Sequence, residues 1–208
     1  MLNKMTTNMA RLYYSDKPHD EDDVEIYAYG LERLISTYAQ VAFYLVFGLI
    51  IGQLLNTIVF LSTYVWLRNS IGGFHAKTHL RCFLSFFAVY LVYLAVIFLV
   101  PTELIGVLSL SLTAISFLPI LLYAPLDDVN RPASDTKKRN HRRQSLIKYA
   151  IQATAIIALA LSGVLRNIEF LSPYLLLSLA FGQFSAVALL IVGKIKSIQE
   201  PCVSEVRG

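Results

Sequence analysis

Residues 34–67 read LISTYAQVAFYLVFGLIIGQLLNTIVFLSTYVWL, a run of 34 positions without a charged side chain. A helical crossing of a bilayer takes about 20 residues, so the run is too long for one span and short for two. Gly52, Gln53 and Asn56 supply the break, which predicts two membrane helices, the second of them short. Working outward, uncharged runs recur at 82–102, 104–126, 149–165 and 170–193. At 56% hydrophobic over 208 residues, the chain is too apolar for a soluble domain. The expected fold is an all-α integral membrane protein with six transmembrane helices. Its single polytopic domain covers 1–208: a cytoplasmic or interfacial segment over 1–33, membrane helices over 34–193 and a cytoplasmic tail over 194–208. Pro101 and Pro173 mark helix ends, and Pro119 is expected to kink the fourth membrane helix.

The first thirty-odd residues hold no continuous apolar core, so no cleavable signal peptide is expected there. Leu2, Met5, Met9, Leu12 and Tyr13 recur at helical spacing, with Lys4, Asn8 and Arg11 between them. That pattern fits an amphipathic helix lying in the membrane interface, or else a frayed start. The acids of DEDDVE at 20–25 suit the first turn of a helix running on toward the membrane.

Lysine and arginine accumulate in cytoplasmic loops, and this sets the orientation. With both termini inside, seventeen of the eighteen basic residues lie on the inner face and Arg166 alone lies outside. The densest cluster is TKKRNHRRQ, in the loop 127–148. It reads as a topogenic loop against anionic lipid heads, or as a receiver for an acidic part of a substrate. The net charge of +4 comes from such loops and speaks for membrane lipids as partners, not nucleic acid. His141 within the cluster and His19 in the acidic tail read as solvated residues. Cys82 and Cys202 both fall on the inner side, where thiols stay reduced, so a disulfide is not expected.

Chemistry concentrates in RNSIGGFHAKTHLRC at 68–82, a polar island between two apolar runs. It holds one of two cysteines and two of four histidines. Cysteine and histidine together can form a nucleophile with its proton carrier. His75 and Cys82 are seven apart, about 10.5 Å of rise on a straight helix, so they can meet only if one of them is off the helix. Gly72 and Gly73 break the helix before His75, and the apolar run opening at Cys82 places that thiol near a helix N-terminus, where the dipole favours thiolate. Cys82 could instead be an apolar filler or a palmitoylation site. A third reading takes His75, His79 and Cys82, at i, i+4 and i+7, as ligands of a metal or solute site in a small membrane transporter. It lacks a fourth ligand, and the apolar cores lack the ionisable residues that transport pathways use.

These residues resemble the accessory gene regulator B (AgrB) family, membrane cysteine endopeptidases that process the precursor of a cyclic autoinducing peptide in Gram-positive bacteria. The resemblance rests on Arg68, Gly-Gly-Phe-His-Ala at 72–76, Cys82, Gly30-Leu31-Glu32, and Tyr123-Ala124-Pro125 followed by a basic stretch. It implies His75 and Cys82 as the catalytic pair, an AgrD-like precursor peptide as substrate, a homodimer, and residence in the cell membrane; the cytoplasmic placing of both termini rests on the positive residues. No cofactor is called for. Glu32, Asp127 and Asp128 are candidates for a third group orienting the imidazole, Glu32 being equally readable as a helix-start carboxylate paired with Lys or Arg. Arg68 and Gly73 read as supporting residues, the arginine for pairing a carboxylate and the glycine for close backbone approach.

Overall fold

The computed structural model describes residues 2–14, 21–71, 79–125, 135–161 and 173–199. Every element among them is helical: α1 (Leu2–Tyr14), α2 (Glu21–Ile50), α3 (Leu54–Ile71), α4 (His79–Leu99), α5 (Thr102–Tyr123), α6 (Asp135–Leu161) and α7 (Pro173–Gln199). The chain divides into two compact units, Met1–Ile51 and Gly52–Gly208.

In the first unit α1 is a formed helix, and it meets α2 through its small residues. Ala10 shares a buried cluster with Val24 and Ala28, and Tyr13 stacks on Tyr27 at 4.9 Å and 6°. Met5, Met9 and Leu12 remain exposed, so the expected apolar stripe is left open on a helix anchored by its other side. Helix α2 starts at Glu21, within the acidic run at 20–25, as expected. Its segment Asp23–Ile50 is long and apolar enough to span a membrane, and the exposed Leu34, Tyr38, Val46 and Leu49 suit a lipid surround.

The expected break after α2 is present. Gly52 adopts φ +72°, which favours glycine, and Gln53 then caps α3. Its carbonyl accepts from Thr57 N (2.9 Å) and Thr57 Oγ1 (2.8 Å), and its side chain accepts from Asn56 Nδ2. Asn56 thus belongs to the helix and not to the turn.

In the second unit α7 is the central element, packed against α3, α4, α5 and α6. It is apolar nearly all round, as a helix enclosed by others must be. Leu176, Leu177, Ala180, Ala186, Val187 and Leu190 are buried along it. Gly182 lets α7 approach α3 closely: a Cβ there would lie 2.6 Å from the Phe60 carbonyl oxygen and 3.0 Å from Thr63 Cβ. Helix α4 joins through aromatic rings and hydroxyls. Phe60 stacks on Tyr93 (4.5 Å), Tyr64 meets Phe86 (4.4 Å), and Tyr93 meets Phe181 (5.5 Å). The Tyr90 hydroxyl lies 2.8 Å from Thr57 Oγ1, and that of Tyr93 lies 2.7 Å from Ser178 Oγ and donates to the Asn56 carbonyl at 3.1 Å. Such pairing removes the cost of burying hydroxyls in an apolar bundle.

The six expected spans correspond in order to α2 through α7, but four of these helices are long and apolar enough to cross a membrane: Asp23–Ile50, Thr102–Tyr123, Lys138–Leu161 and Pro173–Ile195. In α4 the apolar part is the shorter Phe83–Leu99, and α3, at 18 residues, carries Arg68 and Asn69 in its last turns. The basic cluster also differs from expectation. From Asp135 onward it forms the opening turns of α6, because Lys, Arg and Gln favour helix. Pro101 and Pro173 do sit at helix starts, and Pro119 lies within α5, which continues through it to Tyr123.

Candidate active site

One end of the second unit gathers the chemistry-bearing stretches that fall within the described residues. The last turns of α3, the last turn of α5 and the middle of α6 meet α7 there in one apolar cluster of Leu67, Ile71, Ile120, Ala124, Tyr149, Ala186, Val187 and Leu190. Ile71 is the residue before Gly72, and Ala124 is the centre of Tyr123-Ala124-Pro125. The last turn of α3 and the Tyr123-Ala124-Pro125 stretch therefore share one patch of α7. Lys148 of α6 donates from Nζ to the Trp66 carbonyl at 3.0 Å, tying the basic half of α6 to the end of α3. Arg68 lies half-buried in that last stretch of α3.

Cys82 is the fourth residue of α4, in its first turn, which agrees with the expected position at a helix N-terminus. Four residues on, Phe86 packs against Phe60 (6.0 Å) and Tyr64 (4.4 Å) of α3. The start of α4 therefore stands beside the end of α3. His75 and Gly73 lie outside the described residues, as do Asp127 and Asp128, and His79 opens α4. Glu32 is a half-buried residue of α2 in the first unit. His141 is exposed on α6, in keeping with a solvated side chain. Among the described residues, no group of three or more His, Cys, Asp and Glu could hold a metal ion.

Sequence reasoning passed over three polar residues in apolar surroundings. Ser70 is buried one position before Ile71, and its hydroxyl has no hydrogen-bond partner among the described residues. Gln152 and Gln183 are buried within α6 and α7. The available signal was a carboxamide inside an otherwise apolar run, where an uncompensated polar group is costly.

The family model described as accessory gene regulator B matches residues 2–193. The chain belongs to the accessory gene regulator B family. Among curated AgrB-like proteins, one from Clostridium perfringens strain 13 is 23% identical over 204 residues, covering 94% of each chain. Another, from C. perfringens strain SM101, is 24% identical over 156 residues, covering 71% of this chain and 72% of its own. No solved structure matches. The match extends over both units, so the AgrB assignment takes in α1 as well as the bundle that carries Cys82.

Proposed function

We propose that the protein is a membrane-embedded cysteine endopeptidase that removes the C-terminal tail of an AgrD-like precursor on the way to a cyclic, quorum-sensing autoinducing peptide. The observation that carries this reading is the position of Cys82 in the first turn of α4, beside the end of α3 from which the Gly-Gly-Phe-His stretch departs, in a chain of the AgrB family. A helix N-terminus supports a thiolate, and an imidazole from the preceding segment supports proton transfer.

In this mechanism the Cys82 sulfur attacks a backbone carbonyl while His75 accepts the thiol proton. The tetrahedral intermediate collapses by breaking the C–N bond, and His75 returns the proton to the leaving amine of the tail. The retained peptide is then a thioester on Cys82. A cysteine or serine side chain of the same peptide attacks that thioester, closes a thiolactone or lactone, and releases Cys82 as thiol. The acyl group stays activated throughout, so no ATP or other cofactor takes part. Arg68 and the basic turns of α6 would pair with acidic groups of the peptide, and Glu32 or an aspartate after Pro125 would orient the imidazole.

A synthetic AgrD-like precursor, mixed with the protein in lipid discs, should lose its tail. Brief reaction and acid quench should leave the remaining peptide mass on Cys82, removable by hydroxylamine. Intact precursor together with unmodified Cys82 would exclude the mechanism.

The orientation has its own test. In a cysteine-free background, single cysteines at Gln53, Thr102 and Asn167 should react with an impermeant maleimide added outside cells, whereas those at Ser134 and Ser197 should react only after permeabilisation. External labelling at Ser134 would invert the scheme.

A further inference from the structure

Helices α3 and α6 run antiparallel, joined by two hydrogen bonds that step along both of them. Gln152 Nε2 donates to the Thr63 carbonyl at 3.1 Å; earlier on α6 and later on α3, Lys148 Nζ donates to the Trp66 carbonyl at 3.0 Å. On one side of this seam Leu67 and Tyr149 enter the buried cluster shared with α5 and α7. On the other side Trp66 of α3 and Ile151 and Ala155 of α6 are exposed. Helical spacing puts these three on the flank away from Leu67 and Tyr149, so the seam opens to the outside of the bundle.

That opening falls at the border between charged and apolar positions on both helices. Lys148 is the last charge before the uncharged run 149–165, and Trp66 is the last residue but one of the uncharged run 34–67. Since Lys138–Leu161 is long and apolar enough to cross a membrane, this border is the level of lipid headgroups. The Trp66 carbonyl fixes the Lys148 side chain but is neutral, so the ammonium keeps its charge and two of its three N–H donors. Helix α3 carries no acidic residue, and α6 has only Asp135, about 20 Å of rise from Lys148.

The complement of this site is an anion with an apolar extension, reached from outside the bundle. A phospholipid has both parts in that order, with phosphate at headgroup level and acyl chains below it. The exposed Arg139, Arg142 and Arg143 in the preceding turns of α6 add a preference for a headgroup of net negative charge. We propose that the α3–α6 seam binds one anionic phospholipid, with its phosphate on the Lys148 ammonium and an acyl chain along Trp66, Ile151 and Ala155. Touching both helices, the lipid holds the end of α3 that carries Leu67 and Ile71 against α6.

Trp66 is the one tryptophan in the chain, so its fluorescence reports on this site alone. Bromine on a lipid acyl chain quenches a tryptophan that the chain touches. In phosphatidylcholine vesicles holding the full chain, a minor fraction of brominated phosphatidylglycerol should quench Trp66 as strongly as an about fivefold larger fraction of brominated phosphatidylcholine, the preference that one lysine near a membrane surface gives. Equal quenching at equal fractions would overturn the site, and this comparison needs no variant. Lys148→Gln keeps a donor for the Trp66 carbonyl and loses the charge, so it should abolish the preference, whereas Lys148→Arg should retain it. Arg143→Gln, on the far side of α6 from Lys148, should leave the preference unchanged. A loss there equal to that in Lys148→Gln would make the preference a diffuse attraction of the whole basic cluster and overturn a single site. Inorganic phosphate in millimolar excess should not relieve the quenching. Relief by it, or by the synthetic precursor, would overturn the lipid assignment in favour of a free anion or of the peptide. The readout is optical, so its outcome does not depend on whether the protein cleaves.

Discussion

Cys82→Ala and His75→Ala are each expected to reduce release of the precursor's tail by at least about 1,000-fold, with the protein still folded in the membrane. The size follows from the chemistry: without the thiol there is no acyl acceptor, and without the imidazole neither the thiol nor the leaving amine exchanges its proton. The double variant should be no worse than the worse single one, because nucleophile and base act as a unit. Cys202→Ala should cleave like the wild type, since Cys202 follows Pro201 in a polar tail with no histidine nearby in sequence. Iodoacetamide should inactivate the enzyme with a pH midpoint below about 8.5, the value of an ordinary thiol. His75→Ala should move that midpoint upward. Tail release by Cys82→Ala would end the cysteine-protease reading, and a Cys82 rate of alkylation equal to that of Cys202 would remove the activated thiol from it.

Gly182→Ala is expected to be the most damaging single-methyl change in the bundle. The new Cβ would sit 2.6 Å from the Phe60 carbonyl oxygen, and that oxygen is backbone and cannot rotate away. Helix α7 would have to back off α3, loosening the packed Phe60, Tyr93 and Phe181 rings together, a loss of about 1–3 kcal/mol typical of overpacking. Gly30→Ala and Gly106→Ala meet nothing within 4 Å on their helices, and each should be neutral or gain up to about 1 kcal/mol from alanine's helix propensity. Detergent unfolding of the three variants side by side checks this. A Gly182→Ala midpoint equal to that of Gly106→Ala would mean that the close approach of α7 to α3 carries no stability.

The strongest signals in the sequence were those with a physical period or a strict composition. Uncharged runs located every helix from α2 to α7, because bilayer thickness sets their length, and Pro101 and Pro173 marked two helix boundaries, because proline lacks the N–H that a helix interior needs. Gly52 was legible as a turn for the same kind of local reason. Reading the basic cluster as loop was an error of category: charge reports contact with water or lipid heads, not backbone conformation, and TKKRNHRRQ is made of helix formers. The uncharged length at 34–67 gave two helices with a short second one, and α3 is short, 18 residues with Arg68 and Asn69 in its last turns.

The candidate site divides along the same line. From the sequence alone came the membrane class, the helix order, and Cys82 at the N-terminal end of an apolar helix. All of these depend on residues near one another in the chain. Which helix ends become neighbours within a face depends on side-chain shape across the bundle, and that is written at no single position. The tertiary structure alone decided that α7 is central, that Ile71 and Ala124 share one patch of it, and that Lys148 reaches the end of α3. It also decided that Gln152 and Gln183, thirty-one positions apart, stand at one level between two apolar clusters. The physical reason is close packing. A glycine at 182 permits one depth of approach between α3 and α7, and that depth sets which polar groups the bundle encloses.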